Sequence, residues 1–162
     1  MSPDLKTSIV IVFYASGSSS LPGSNPSSDV TFISVTATFS NGSTKVVFLN
    51  ADEAIVLTTR DGSSGYYEGT GAAWIGTPDL SSYLITIDSP ENGVVGSFEL
   101  KSIAPAHYPC GPVEAGQNMM VGPNIGWANA IPDAIGIVDV TINGSSLAFT
   151  GVGYHDKVKI ST

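Results

Sequence analysis

The sequence predicts an all-β protein, an antiparallel sandwich or half-open barrel of about eight to ten strands with little helix. Short apolar stretches recur at regular spacing and are separated by turns rich in Gly, Ser and Asn. Two Asn-Gly dipeptides each lie between stretches in which apolar and polar residues alternate, a pattern typical of hairpins. No segment combines an apolar period of about 3.6 residues with helix-capping residues, and the chain has no internal repeat.

The first predicted strand covers residues 7–14, whose unbroken apolar run TSIVIVFY indicates a strand buried on both faces. Residues 15–28 are predicted to form a loop, because Gly, Ser and Pro dominate them. Residues 30–39 then alternate in the manner of a half-buried strand. Four apolar residues of this strand are expected on one face: Ile33, Val35, Ala37 and Phe39.

The dipeptide Asn41-Gly42 predicts a type I′ turn, because both central residues of that turn need a positive φ. A two-residue turn at this point pairs Ala37 with Val46 and Val35 with Phe48. In that register the apolar residues of both strands share one face, so we expect all of them to point into the core.

The dipeptide Asn143-Gly144 predicts a second hairpin near the C-terminus by the same argument. A two-residue turn there pairs Val140 with Leu147 and Val138 with Phe149, which places apolar residues opposite each other. Further strand-like segments lie between the two hairpins: residues 54–59, 72–75, 83–87 and 94–103.

The composition restricts the partners of the protein. The 162 residues suit one β domain, with 42% hydrophobic and only 12% charged residues. The net charge of −8 includes only six Lys and Arg, so the chain lacks the basic face that nucleic-acid binding requires. Anionic membrane surfaces are disfavoured for the same reason. We therefore expect neither nucleic acid nor a membrane as a partner.

The compartment is predicted from what precedes the first strand. The N-terminus lacks the basic region and the long apolar core of a secretory signal. The longest apolar run, residues 8–15, is far too short to span a bilayer. The single Cys permits no internal disulfide and gives no information on the compartment. The sequence predicts a cytoplasmic protein.

Residues 104–134 have the most unusual composition in the chain. They contain the only Cys, one of the two His, one of the two Trp, two of the three Met and five of the ten Pro. So much Pro and Gly is incompatible with a regular strand throughout. We interpret the segment as a structured crossing that packs over the open side of a sheet and lines a cavity. Its polar groups are the candidates for a site: His107, Tyr108, Gln117, Asn118 and Asn129.

No familiar catalytic or metal motif is present, and no cofactor is expected. Cys110 and the two His follow no recognised metal-ligand spacing, and Cys110 is better explained as a small buried apolar residue. A nucleophilic pair of Cys110 and His107 is poorly placed around Pro109. His155 next to Asp156 suits an oriented imidazole, although neighbours in a strand point to opposite faces. The alternative is that Tyr154 and Asp156 tie down a strand end.

Apolar residues and amides alternate within residues 104–134. Trp127 and Asn129 are two residues apart, as are Gln117 and Met119, so each pair shares one face of an extended segment. An apolar surface with a few amides suits a large, mostly hydrocarbon ligand. The alternative is an ordinary core in which the amides bind backbone groups.

Two segments, AHYPCGPVEAGQNMMVGPNIGWANAIPDA and VTINGSSLAFTGVGYHDK, resemble the N-terminal half of fungal Diels–Alderases that form decalin rings in polyketide pathways. These enzymes belong to the wider hydroxyneurosporene-synthase (carotenoid 1,2-hydratase-like) family. The resemblance implies a lipocalin-like fold and a pericyclase that cyclises a linear polyene in secondary metabolism. Together with the apolar-plus-amide pattern it predicts these pocket residues: Trp127, Asn129, Gln117, Tyr108, His107 and Tyr154.

The resemblance also implies that part of the family's chain is not present in this sequence. The family begins with an earlier strand and continues after Lys157 into a second β domain that helps to form the substrate pocket. We therefore expect this chain alone to be less than a fully competent enzyme. A homodimer, or the second domain, is expected to cover its open face.

A Diels–Alder cyclisation fits these residues because it transfers no proton and needs no nucleophile. It needs a flexible polyene held in a reactive conformer, which can lower the barrier by several kcal/mol. A hydratase that adds water to an alkene is an alternative, with His155 and Asp156 sharing a cavity as proton donors. A carrier of hydrophobic metabolites is a second, non-catalytic alternative.

Overall fold

The computed structural model describes residues 1–16, 30–59 and 62–160, and strands make up most of them. Within these ranges there is no α-helix, and the helical structure is one 3-10 turn, Pro90–Asn92. In chain order the strands are β1 (Ser8–Ser16), β2 (Val30–Thr38), β3 (Thr44–Asn50), β4 (Ala54–Thr59), β5 (Gly62–Tyr67), β6 (Ala72–Gly76), β7 (Ser82–Ser89), β8 (Val94–Ser102), β9 (His107–Tyr108), β10 (Gly111–Pro112), β11 (Met120–Gly122), β12 (Ile125–Ile142) and β13 (Ser145–Ile160).

The strands form two antiparallel sheets. The smaller sheet has the order β1-β2-β3. The larger sheet has the order β10-β9-β12-β8-β7-β6-β5-β4, and both β11 and β13 also pair with β12. One set of buried side chains from both sheets forms a common core, so the sheets pack as layers of a sandwich. The predicted all-β architecture, which is not a closed barrel, is confirmed.

The core is built by strands with one apolar face. In β2 the predicted alternation is confirmed, since Ile33, Val35 and Ala37 are completely buried. Complete burial of one such Ile or Val stabilises the fold by about 1.5–3 kcal/mol. At the end of the core, the rings of Phe13 and Tyr67 meet edge to face at 5.1 Å and join the two sheets.

The second predicted hairpin is confirmed in its turn and its register. Asn143 and Gly144 have φ values of 47° and 75°, as a type I′ turn requires. Val140 pairs with Leu147, and Val138 pairs with Phe149. This hairpin joins β12 to β13, the two longest strands among the described residues.

Lys45 in β3 connects the smaller sheet to this turn. Its ammonium donates hydrogen bonds to the carbonyl oxygens of Ile142 and Asn143, each at 3.1 Å, and to Ser145 Oγ at 2.8 Å. Three acceptors match the three protons of an ammonium group. The first hairpin of the chain is thereby fixed to the last one.

The predicted register of the first hairpin is wrong by one residue. Val35 pairs with Val47, and Ala37 pairs with Lys45. Val46 and Phe48, which were expected in the core, therefore point outward and are 51% and 61% exposed.

The cause of this shift is a loop of three residues instead of two. Gly42 donates its N–H to the Phe39 carbonyl oxygen at 2.8 Å and adopts a φ of 82°, which is typical of a three-residue hairpin loop. Asn41 Oδ1 accepts from the N–H of Ser43 at 2.9 Å and from its hydroxyl at 2.7 Å. Because β3 is apolar on both faces, its alternation could not distinguish the two registers.

The prediction that the first strand is buried on both faces is also wrong. Val10 is 55% exposed, because the smaller sheet is covered on one face only. Ala15 and Ser16, predicted as loop, belong to β1. The rest of that predicted loop, residues 17–28, lies outside the described residues.

Residues 104–134 do not cross over the sheet as predicted but extend it. The segment adds β9, β10 and β11 beside β12, and its last ten residues lie within β12. Pro132 is accommodated because the register of β12 shifts on both sides of Ile131, and Pro is tolerated at such bulges. Cys110, expected to be buried, is exposed at the tip of this extension.

Candidate functional site

The candidate site lies where β12 and β13 extend beyond the core. β12 pairs with β8 only between Ala134 and Ile142. Its first residues pair instead with β9, β11 and the last residues of β13. We call this part, residues 125–131 with residues 153–160, the distal arm. On β13 the even-numbered residues of the arm face away from the core, since Tyr154 and Val158 are each 58% exposed.

A carboxylate organises the outer face of the distal arm. Trp127 Nε1 donates to Asp156 Oδ2 at 2.9 Å, and the Tyr154 hydroxyl donates to the same oxygen at 3.1 Å. The strand register causes this meeting, because Asn129 is opposite Asp156 and Trp127 is opposite Val158. Partial desolvation and the bond to Asp156 raise the pKa of Tyr154, so its phenol remains a donor at neutral pH.

His107 lies against Trp127 on the same part of the sheet. Its imidazole meets the indole edge to face, with ring centroids 5.7 Å apart. The pairing of His107 with Asn129 across β9 and β12 fixes this position. His107 Nδ1 is 2.9 Å from the Tyr108 carbonyl oxygen, which can only accept, so this contact places a proton on Nδ1.

Asn129 uses its side chain to hold backbone. With the amide nitrogen turned toward the bulge, it donates to the carbonyl oxygens of His155 at 2.9 Å and Ile131 at 3.2 Å. These bonds satisfy carbonyl groups where the register of β12 shifts. The amide therefore fits the alternative in which it binds backbone groups.

The two other predicted residues are less involved in this cluster. Gln117 is exposed after β10, and its carboxamide covers Gly111, where an added Cβ would lie 3.0 Å from it. Tyr108 is half-buried in β9 and contributes its carbonyl oxygen to His107. Asn118, also singled out in the sequence, accepts the Met120 N–H at 2.9 Å and shapes the start of β11.

His155 lies on the opposite face of β13 from Asp156. Its ring packs on Tyr83 with centroids 4.4 Å apart, and Tyr83 stacks on Trp74 at 5.2 Å. Burial lowers the pKa of His155, and the nearby Lys157 acts in the same direction against the opposing effect of Asp156. His155 and Asp156 therefore do not share a cavity as the hydratase alternative requires.

The aromatic row of Trp74, Tyr83 and His155 was not predicted. The sequence did contain an indication of this row, since a glycine on the neighbouring strand lies opposite the ring of Trp74 and another lies opposite the ring of Tyr83. Gly65 pairs with Trp74, and Gly76 pairs with Tyr83. An aromatic ring can lie flat over a glycine on the neighbouring strand, but the pairing must be known before this pattern can be recognised.

Other possible sites are less developed in the described part of the chain. A cavity of about 330 Å³ is lined by residues 79–81 and 102–106, none of which belongs to the predicted pocket. Among the described residues, no three His, Cys, Asp or Glu side chains are grouped to hold a metal ion. In the same ranges, no helix has the length and apolar character needed to cross a membrane.

A family model described as Diels-Alderase-like matches residues 1–161. The chain belongs to the Diels-Alderase-like family. It is 36% identical to the quinolone epoxide rearrangement protein penF of Penicillium thymicola over 94% of this chain and 43% of penF. It is 34% identical to the quinolone epoxide rearrangement protein asqO of Emericella nidulans over 92% of this chain and 40% of asqO. The Diels-Alderase cheD of Chaetomium globosum is 30% identical over 56% of this chain and 23% of cheD.

A solved structure, CghA with Sch210972, has the same fold with a TM-score of 0.78 at 21% identity. The match covers 99% of this chain and 43% of CghA. The Diels-Alderase-like chain therefore spans less than half the length of these relatives. The predicted resemblance to Diels–Alderases is confirmed, and these matches give no support to the wider link with hydroxyneurosporene synthases.

Proposed function

We propose that this chain is a substrate-binding β domain, residues 1–162, of a cytoplasmic pericyclase that cyclises a linear polyene in fungal secondary-metabolite biosynthesis. The reaction exchanges π bonds for σ bonds within one molecule, so no proton, electron or leaving group needs a carrier. What the protein must supply is a rigid surface that selects a folded conformer of the substrate.

The outer face of the distal arm supports this proposal. Trp127 offers an aromatic surface whose orientation is fixed by its bond to Asp156 and its contact with His107. Tyr154 adds a phenol fixed to the same carboxylate. Exposed apolar side chains also lie on the strands of the arm and next to it: Met120, Val121, Ile125, Val152, Val158 and Ile160. A preorganised aromatic group within an apolar surface suits a hydrocarbon chain.

The test is the cyclisation of a linear polyene that carries a diene and an activated alkene. With the purified chain, we expect cyclised product to form faster than in buffer, as followed by chromatography and mass spectrometry. A carrier would bind the polyene and return it unchanged. Product formation at the rate in buffer, both by the chain alone and by the chain supplied with a family second domain, would therefore reject the pericyclase.

A pair of variants locates the reaction on the distal arm. Trp127→Ala removes the aromatic surface, and we expect the rate to fall at least about tenfold, since one buried aromatic contact contributes about 1.5–3 kcal/mol. Tyr66→Ala is the control, because Tyr66 is an exposed aromatic ring on another part of the larger sheet. An equal loss in both variants would show that the arm is not the site.

The rearrangement of a quinolone epoxide is a second candidate. It is favoured because penF and asqO, which match more than nine-tenths of this chain, are quinolone epoxide rearrangement proteins. Opening an epoxide needs a donor at its oxygen, and the Tyr154 hydroxyl, which remains protonated at neutral pH, can supply it by turning from Asp156 to the epoxide. Tyr154→Phe would abolish this rearrangement but leave cyclisation of a polyene largely unchanged.

The proposal also includes a partner that covers apolar surface. Either a second copy of the chain or a second domain like that expected from the family resemblance would serve. The exposed apolar residues of the smaller sheet and of the distal arm support this part of the proposal.

A further inference from the structure

The two carboxylate oxygens of Asp156 differ in their hydrogen bonds to the protein. Both donors of the cluster, Trp127 Nε1 and the Tyr154 hydroxyl, bind the same oxygen, Oδ2. Within the described ranges, Oδ1 accepts no hydrogen bond from the protein. The structure has no buried side-chain oxygen without a partner in those ranges, so Oδ1 must remain in contact with solvent. The site therefore contains a fixed, negatively charged acceptor that can still be reached.

We propose that Asp156 Oδ1 accepts the N–H of a planar lactam substrate whose apolar body lies against Trp127. This assignment rests on the second candidate within the proposed function, the rearrangement of a quinolone epoxide, and names a substrate feature that the same site recognises. A 2-quinolone is a planar lactam with one ring N–H.

The geometry around Asp156 explains why such a group would be recognised. Two hydrogen bonds to Oδ2 fix the carboxylate, so little conformational entropy is lost when Oδ1 binds a donor. A hydrogen bond to a charged acceptor is stronger than one between neutral groups. The exposed side chain of Val158 and the indole of Trp127, opposite each other on the two strands, offer an apolar surface beside it.

The test compares 2-quinolone, which has one ring N–H, with N-methyl-2-quinolone, in which a methyl group replaces that hydrogen. Isothermal titration calorimetry with the 162-residue chain measures both affinities. We expect the N–H compound to bind at least about tenfold more tightly, the effect of one hydrogen bond to a charged group. This comparison uses the unmodified protein and so does not depend on the folding of any variant.

Asp156→Asn tests the acceptor directly. Its amide oxygen can replace Oδ2 toward Trp127 and Tyr154, which leaves an NH₂ group at the position of Oδ1. A donor at that position cannot accept the lactam N–H, so we expect the tenfold preference to disappear while N-methyl-2-quinolone binds as before. Asp139→Asn is the matched control, because it removes the same charge from an exposed position of β12. We expect this control to keep the preference.

The outcomes separate this assignment from the proposed function. Equal binding of the two quinolones by the unmodified chain, or a preference that survives in Asp156→Asn, overturns the role of Asp156. Binding of a linear polyene without binding of either quinolone also overturns it and leaves the polyene cyclase intact. If the chain binds neither the polyene nor the quinolones, the proposed function fails together with this assignment.

Discussion

At the scale of single residues, His155 and Asp156 show how one strand serves two environments. The two residues are adjacent in β13, and alternation sends their side chains to opposite faces. Asp156 accepts a hydrogen bond from Trp127 on the outer face, whereas the imidazole of His155 lies against Tyr83 on the core side. The acid on the outer face is the group to which we assign recognition, and the base on the inner face contributes to packing.

The packing of His155 predicts a pH dependence of stability. Burial lowers the pKa of His155 below its ordinary value of about 6.5, so the unfolded chain binds the proton more readily than the folded protein. The contribution of this residue is complete above about pH 6.5 and decreases as the pH falls through that value toward the lower folded-state pKa. Urea unfolding between pH 5 and 8 should therefore show a loss of stability on the acid side.

A variant isolates the contribution of His155 from that of the acidic residues. His155→Phe keeps a ring against Tyr83 but cannot be protonated, so its stability should fall less on acidification than that of the unmodified chain. Tyr83→Phe keeps His155 and should show the original pH dependence. An unchanged pH dependence in His155→Phe would mean that the imidazole does not couple folding to protons.

At the scale of secondary-structure elements, glycines determine how the aromatic rings lie on the larger sheet. A Cβ at Gly65 would overlap the indole of Trp74, and one at Gly76 would lie 2.8 Å from the ring of Tyr83. Each ring thus occupies the space that a side chain on the neighbouring strand would need. The aromatic row that ends at His155 therefore requires that neither Gly65 nor Gly76 carries a side chain.

We expect Gly65→Ala to destabilise the protein by about 1–3 kcal/mol, as overpacking does, because the indole must leave its position on Tyr83. Gly122→Ala is the control, since a Cβ there would have no atom within 4 Å and the residue lies in a strand as Gly65 does. Its free energy of unfolding should change by less than about 0.5 kcal/mol. Near-ultraviolet circular dichroism should report displacement of Trp74 in the first variant only.

The elements also show which features could be predicted from the sequence. Periodicity located the main strands, and Asn143-Gly144 predicted its turn and register because β12 and β13 each have one clearly apolar face. The same dipeptide at Asn41 predicted the wrong register, because β3 has apolar residues on both faces and these are compatible with a longer loop. β5 was not predicted, because Gly62–Tyr67 is mostly Gly and Ser and forms a strand through its neighbours β4 and β6.

The candidate site was partly predictable for a similar reason. Trp127, His107 and Tyr154 were selected by residue type, and the structure brings them around Asp156. Asp156 was considered as a partner of His155 or, together with Tyr154, as a residue that ties down a strand end, and the structure pairs it with Tyr154 and Trp127. Its bond to Trp127 spans 29 residues of sequence and depends on the register of two long strands. Local patterns do not contain that information.

At the scale of the whole molecule, the described residues of the smaller sheet leave apolar side chains exposed on one face. Val10, Val46 and Phe48 are exposed on it, and Tyr14 stacks on Phe32 at 4.4 Å beside them. The outward-facing positions of β1, β2 and β3 carry no charged residue, although the chain has a net charge of −8. Two such faces can approach without opposing like charges, so this face fits a second copy of the chain.

Sedimentation velocity should therefore detect a dimer at micromolar concentration. Phe48→Ser should weaken it by about tenfold or more, because a large apolar contact is lost. Ile75→Ser is the matched control, since Ile75 is similarly exposed on the larger sheet. A monomer at these concentrations, or equal weakening by both variants, would argue against this face as the contact.

The bond network of Lys45 has a consequence for the order in which the chain folds. Its ammonium reaches a turn about one hundred residues later in the sequence, with a separation of 100 residues to Ser145. Contacts of this range close large loops and slow folding. On the ribosome, the bonds of Lys45 cannot form until residues 142–145 have been synthesised. Until then the smaller sheet lacks this connection, and the yield of soluble protein should respond to chaperone supply during translation.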